Sequence, residues 1–121
     1  MVKKKLIVKN FMVRDVITVS SDTTLDELVM LMKECRHHTY PVVDNDRLVG
    51  MVSAFDIVTK EFSETVPGIM KTSLVGANEN LSVNDAYRIM SKRRLSIIPV
   101  LNNDGKLVGI LSNSDIVKLF L

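Results

Sequence analysis

Tryptophan is absent from this chain of 121 residues, and aromatic residues make up only 5% of it. A core therefore has to be built from Val, Ile, Leu and Met, and the seven methionines are part of that supply. The single cysteine, Cys35, excludes an intramolecular disulfide and makes no structural zinc cage by itself. One free thiol suits a reducing compartment, so the expected location is the cytoplasm. Long apolar runs are missing too: none approaches the roughly 20 residues a membrane helix needs. The start is basic through Lys3-Lys4-Lys5, but Lys9-Asn10 interrupts it too early for a signal peptide. No charge of one sign dominates. Sixteen Lys and Arg against fourteen Asp and Glu leave +2, without the basic excess of a nucleic-acid binder. There is no P-loop, no G-x-G-x-x-G, and no activated nucleophile or acid–base pair, so the chain is not expected to be an enzyme.

What is present is an ordinary share of hydrophobic residues, 46%, and of charge, 25%. That is enough to bury a core and excludes a wholly disordered chain. The length fits one domain or two very small ones.

Self-comparison resolves which. At a shift of 58, Met12 falls on Met70, Met32 on Met90, Arg36 on Arg94 and Pro41-Val42 on Pro99-Val100. Gly105 adds one residue, and from there a shift of 59 brings Leu48-Val49-Gly50 onto Leu107-Val108-Gly109. Ser53 then meets Ser112, and Asp56-Ile57-Val58 meets Asp115-Ile116-Val117. Between positions 36 and 58, 12 of 23 aligned residues are identical. The chain is two copies of one unit, at 10–62 and 68–121, after an N-terminal segment 1–9. A linker at 63–67 joins them, and Pro67-Gly68 reads as a breaker pair at the join.

Each copy predicts the same elements. A β-rich stretch comes first, Val16-Ile17-Thr18-Val19 and Leu74-Val75-Gly76-Ala77. A helix follows, opened by Thr24-x-x-Glu27 and Ser82-x-x-Asp85 as capping boxes. Its apolar stripe is Leu25, Leu28, Val29, Leu31 and Met32, or Val83, Ala86, Tyr87, Ile89 and Met90. Pro41 and Pro99 forbid continuation and turn the chain extended. Two short strands then flank a polar turn, Asp44-Asn45-Asp46-Arg47 in one copy and Asn102-Asn103-Asp104-Gly105-Lys106 in the other. Ser53-x-x-Asp56 and Ser112-x-x-Asp115 open a second short helix. The fold class is α+β: two β-α-β-β-α repeats packed sheet to sheet with pseudo-two-fold symmetry, because one copy alone buries too little surface.

These residues resemble the cystathionine-β-synthase (CBS) domain family, and the pair resembles one tandem CBS module. The resemblance is carried by Tyr40-Pro41-Val42-Val43-Asp44 and Leu48-Val49-Gly50-Met51-Val52-Ser53-x-x-Asp56-Ile57-Val58. In the second copy it is carried by Ile98-Pro99-Val100-Leu101-Asn102 and Leu107-Val108-Gly109-Ile110-Leu111-Ser112-x-x-Asp115-Ile116-Val117. It covers essentially the whole chain. It implies a regulatory module that binds an adenosine compound, AMP, ADP, ATP or S-adenosylmethionine, in a cleft between the repeats and signals to a protein partner.

The resemblance also assigns residues. Asp56 and Asp115 match the aspartate that takes the ribose 2′- and 3′-hydroxyls, a role a carboxylate suits because it offers two acceptor oxygens to a cis-diol. Each Asp also completes a capping box with Ser53 or Ser112, which needs no ligand. Ser112 and Ser114 form a phosphate seat beside backbone N–H groups. The first copy has Ala54-Phe55 where the second has Asn113-Ser114, so the Asp115 site is expected to be the better one. As the family builds its sites from both copies, the Asp115 site is expected to borrow Ile17, Thr18, His37, His38, Thr39 and Tyr40. The Asp56 site would borrow Val75, Gly76, Leu95, Ser96, Ile97 and Ile98. His38 and Ser96 match the position of a polar side chain facing a phosphate, and His38 would make binding pH-dependent near its ordinary pKa of about 6.5. Arg36 and Arg94 end the first helix of each copy, where cations are also favoured by the helix dipole alone.

Other signals are weaker. Cys35-Arg36-His37-His38 gathers potential metal ligands, but sequence neighbours at a helix end diverge and the second copy has Arg93-Arg94-Leu95-Ser96, so no metal is expected. Asp44-Asn45-Asp46 lacks the Gly and distal Glu of a calcium loop. A Cys35–His nucleophile pair is less in keeping with a packed helix than a plain thiol. The broad stripe Leu28-Val29-x-Leu31-Met32 and the apolar C-terminus, Ile116 to Leu121, predict a two-fold homodimer. The alternative function is a structural dimerisation or protein-association module with degenerate nucleotide sites, which Ala54-Phe55 favours in the first copy.

Overall fold

A computed structural model describes residues 6–60 and 65–120. The basic start through Lys5, Ser63 and Glu64 of the expected linker, and Leu121 of the apolar C-terminus lie outside the described residues. Two compact units result: Ile17–Leu74 is one, and the other joins the residues up to Val16 to those from Val75 onward.

The unit Ile17–Leu74 begins with α1 (Leu25–Cys35), whose N-cap Thr24 accepts from the Glu27 amide. The capping box is only half formed there, since Glu27 takes the Thr24 hydroxyl at 3.1 Å. α1 ends at Arg36 in the left-handed region, φ 58°. β1 (Thr39–Asp44) and β2 (Arg47–Ser53) pair antiparallel with a bulge at Val42/Val43. Asn45 and Asp46, both at positive φ, form the two-residue turn between them. α2 (Ala54–Thr59) follows, then α3 (Val66–Ile69), a single turn capped by Thr65. Pro67 and Gly68 thus lie inside a helical turn rather than breaking the chain. Pro is accommodated in a first turn, where its missing N–H has no intrahelical partner to lose. Val19, Leu28, Tyr40, Val42, Val52, Val66 and Ile69 form the core.

The other unit repeats the plan with β3 (Ala77–Asn78), α4 (Val83–Arg93), β4 (Ile97–Leu101), β5 (Leu107–Ser112) and α5 (Asn113–Val117). The sheet order is β3-β4-β5, with β3 parallel to β4. The β4–β5 turn is one residue longer. Gly105 takes φ 80°, and Asn102 Oδ1 accepts from the amides of Asp104 and Lys106, each at 3.0 Å. The core is Val8, Met12, Ala77, Val83, Ala86, Met90, Ile98, Val100, Leu111 and Ile116.

The first strand of each copy is shorter than its composition suggests. From Val16-Ile17-Thr18-Val19 only Val19 bridges, to Val42, and from Leu74–Ala77 only Ala77 is strand. The stretch cannot continue because Ile17 and Thr18 are exposed and bury no apolar face.

The leader of each copy packs on the other copy. Val8 and Met12 are buried in the unit that carries the second repeat, and Val13 exchanges backbone hydrogen bonds with Ile110. In the same way Val66 and Ile69 complete the core of the unit Ile17–Leu74, and Lys71 exchanges hydrogen bonds with Met51. The contacts Met12–Gly109 and Met70–Gly50 match: in both, a Cβ on the glycine would stand 2.5 Å from the methionine sulfur.

Candidate functional site

Both candidate aspartates sit at the third position of a short helix, directly after the second hairpin strand. Ser53 Oγ accepts from the Asp56 amide at 3.2 Å, while Asp56 Oδ2 accepts from the Ser53 amide and hydroxyl, both at 2.9 Å. Ser112 and Asp115 repeat the pattern at 3.1 Å for both backbone bonds and 2.8 Å between side chains. The capping reading is therefore correct for both turns. It uses one carboxylate oxygen only. Among the described residues neither Oδ1 has a hydrogen-bond partner, so each keeps free acceptor sites.

The two turns differ in access. Asp56 is 2% exposed and is the one buried charged or polar residue among those described. Asp115 is partly exposed. Phe55, beside Asp56, is 67% exposed. Ser114, its counterpart, is exposed as well, and its small hydroxyl leaves the turn open where Phe55 projects a ring.

Within each unit the hairpin fixes the neighbours of the turn. Thr39 pairs with Ser53 and Ile97 with Ser112. The His38 carbonyl accepts from the Ala54 amide and the Ser96 carbonyl from the Asn113 amide, both at 2.9 Å. So His37–Tyr40 lie beside the Asp56 turn, and Ser96–Ile98 beside the Asp115 turn. His37, His38 and Ser96 are exposed; Thr39 and Ile97 are half-buried. Tyr40 and Ile98 are enclosed in the cores, so any part they take in binding comes from the backbone. Burial holds the Tyr40 phenol above 10.0, the Cys35 charge adds to this, and the His37 amide offsets part. Ile17, Thr18 and Gly76 are exposed, and Val75 packs against the core. Arg36 and Arg94 are exposed left-handed C-caps. No group of three or more His, Cys, Asp or Glu suited to a metal ion occurs among the described residues. No described helix is long and apolar enough to cross a membrane.

Asn113 was not singled out by sequence. Its Oδ1 is buried with no hydrogen-bond partner among the described residues, and its Nδ2 donates to the Leu95 carbonyl at 3.5 Å. A buried acceptor left unpaired costs about 1–3 kcal/mol, so the turn gains from a donor that reaches it. The available signal was the contrast with Ala54 at the same position of the first copy.

Comparison with known proteins agrees with this geometry. The family model for the CBS domain matches residues 8–62 and 66–121. An uncharacterised protein of Methanocaldococcus jannaschii is 37% identical over 113 residues, which is 92% of this chain; the chain spans 43% of that protein's length. Among solved structures, the CBS domain pair of protein MJ0100, in complex with 5′-methylthioadenosine and S-adenosyl-L-methionine, superposes with a TM-score of 0.87 at 28% identity, covering 97% of each chain. CBSX2 in complex with AMP superposes with a TM-score of 0.86 at 26% identity, covering 95% of this chain and 96% of that one.

Proposed function

The chain belongs to the CBS domain family, as two repeats in tandem, and from that premise we propose that it is a regulatory module binding an adenosine compound, AMP, ADP, ATP or S-adenosylmethionine, and passing the bound state on to a partner protein. The observation that carries the reading is the free Oδ1 on each capped aspartate. A cap that engages Oδ2 alone fixes the carboxylate while leaving acceptor sites for a ribose cis-diol. The ligands of the two similar structures, 5′-methylthioadenosine with S-adenosyl-L-methionine and AMP, share the adenosine group and differ beyond it.

Asp115 is proposed as the stronger site because its carboxylate is partly exposed where Asp56 is buried. Ser114 offers an exposed hydroxyl to a phosphate, a role expected of Ser112 as well, but the Ser112 hydroxyl already donates to Asp115 Oδ2 at 2.8 Å; Asn113 Oδ1 offers an unpaired acceptor to an amine. The contributions of Ile17, Thr18 and His37–Tyr40 to that site, and of Val75, Gly76 and Leu95–Ile98 to the Asp56 site, rest on the family resemblance alone, since within each unit the hairpin sets His37–Tyr40 beside the Asp56 turn and Ser96–Ile98 beside the Asp115 turn. A cytoplasmic location, a homodimer and an unidentified regulated partner belong to the same proposal. Signalling requires that the ligand bind two states of the module with different affinity. The second reading, an association module with degenerate sites, is favoured at the first repeat by Phe55, whose exposed ring occupies the position of the Ser114 hydroxyl.

A thermal-shift panel of AMP, ADP, ATP and S-adenosylmethionine tests the proposal. At about 100 times Kd one site adds about 2.7 kcal/mol, a shift of several degrees. The expected result is a shift with at least one compound, lost in Asp115→Asn. That variant keeps an acceptor for the Ser112 cap and removes the carboxylate. No shift with any compound, from folded protein, would move the assignment to the association module.

A further inference from the structure

The Asp115 turn contains one side-chain atom that the fold leaves unsatisfied. Asn113 opens α5, and its backbone amide donates to the Ser96 carbonyl at 2.9 Å. Its Nδ2 donates to the Leu95 carbonyl at 3.5 Å, the long limit of a hydrogen bond. That carbonyl can only accept, so it fixes which end of the amide faces it and turns Oδ1 the other way. Oδ1 is buried, and no N–H or O–H of the described residues reaches it. A buried acceptor without a donor is a cost that folded proteins seldom leave standing. The first repeat does not carry it: Ala54 stands at the same position and makes the same backbone bond, to the His38 carbonyl at 2.9 Å. Nor does the cap need the Asn side chain, since both repeats form it.

Next to Asn113, Ser114 is exposed, and the cap bonds run between Ser112 and Asp115 without it. The turn therefore offers an oriented acceptor and a free hydroxyl donor side by side. A phosphate group carries acceptor oxygens only. It can use the hydroxyl, but it leaves Asn113 Oδ1 unpaired or meets it oxygen to oxygen. An amino-acid group carries an ammonium donor and a carboxylate acceptor, and so matches both. Asn113 as a whole residue is half-buried and its amide is held by that one long bond, so little opposes a rotation that brings Oδ1 to the surface.

We infer that Asn113 is a specificity-determining residue of the Asp115 site, which favours an adenosine whose 5′ substituent carries an amino-acid group over a nucleotide. The inference rests on the adenosine reading, in which the ribose lies on Asp115 and the 5′ substituent on residues 112–114. It narrows the four compounds named there to S-adenosylmethionine. The ligand's ammonium donates to Asn113 Oδ1, and its carboxylate accepts from the Ser114 hydroxyl. A site whose buried polar group is paired only by the right ligand rejects analogues that lack the pairing group. Ala54 and Phe55 offer neither group, so the discrimination belongs to the second repeat alone.

Isothermal titration calorimetry on the full chain tests this with S-adenosylmethionine, AMP, and 5′-methylthioadenosine, which lacks the amino-acid group. Each is titrated into the unmodified protein, Asn113→Ala and Asn113→Asp. Asn113→Ala reproduces the turn of the first repeat. It is expected to weaken S-adenosylmethionine about tenfold or more, the worth of one hydrogen bond to a charged group, and to change the other two by less than about threefold. Asn113→Asp keeps the shape of the side chain and adds a negative charge. It is expected to hold S-adenosylmethionine at least as tightly and to weaken AMP about threefold or more by repulsion. Equal weakening of all three compounds by Asn113→Ala, or of none, would overturn the inference and leave the adenosine reading standing. Binding of none of them to the unmodified protein would remove that reading and this inference with it.

Discussion

Replacing Gly109 by alanine, and separately Gly50, tests how the leader segments are locked to the sheets. Neither glycine is at positive φ, so the effect is one of space alone. At Gly109 a new Cβ would stand 2.5 Å from Met12 Sδ, 2.9 Å from its Cγ and 2.9 Å from the Val13 carbonyl oxygen. At Gly50 the corresponding distances are 2.5 Å and 3.0 Å to Met70 and 3.1 Å to the Lys71 carbonyl oxygen. The thioethers can swing away; the carbonyls are held, Val13 O by the Ile110 amide at 2.9 Å and Lys71 O by the Met51 amide at 3.0 Å. Met12 is also 8% exposed, whereas Met70 is only half-buried and has more room to retreat. Overpacking costs about 1–3 kcal/mol, so Gly109→Ala is placed near the top of that range and Gly50→Ala near the bottom. In a chain of this size that is a difference of roughly 5–10 °C in Tm. A double-mutant cycle in denaturant separates the causes. Met70→Ala is expected to remove most of the Gly50→Ala penalty, while Met12→Ala leaves a residue from the Val13 carbonyl. Equal costs for the two glycines, or complete relief of Gly109→Ala by Met12→Ala, would refute the reasoning.

Three further outcomes follow from the same geometry. Leu28→Ala and Met90→Ala, both at fully buried positions, are each expected to cost about 2–5 kcal/mol in chemical denaturation. Ser53→Ala is expected to cost more than Ser112→Ala, which loses about 1 kcal/mol of cap, because the first leaves the buried Asp56 with one fewer donor and the second leaves a partly exposed Asp115 that water can reach. The hydroxyl and amide of Ser21 hold the Asp44 carboxyl below 3.8. Its stabilising contribution is thus full above that value and lost as pH falls through the lowered pKa. An NMR titration of Ser21→Ala is expected to return Asp44 toward 3.8.

Much of this was legible in the sequence because the duplication reports on itself. Identities such as Leu48-Val49-Gly50 with Leu107-Val108-Gly109 marked the hairpin strand, and both Ser-x-x-Asp turns were readable as caps. What could not be read was where each leader packs. Met12 aligns with Met70, but alignment does not say that Met12 buries against Gly109 of the other copy rather than within its own. That depends on non-local packing. Pro67-Gly68 misled for a related reason: a proline within the first turn of a helix and one after its end look alike until the cap at Thr65 is seen. The orphaned Asn113 oxygen was hidden because burial of a single atom has no sequence signature.

The most direct test of the central claim is a calorimetric comparison of AMP with its 2′,3′-dideoxy analogue on the unmodified protein. If the free Oδ1 of Asp115 receives the ribose diol, the analogue loses hydrogen bonds to a charged acceptor, about 1.5–3 kcal/mol each, and binds about tenfold or more weakly. Equal affinity for the two would contradict the account, because the capped aspartates would then have no part in holding an adenosine compound.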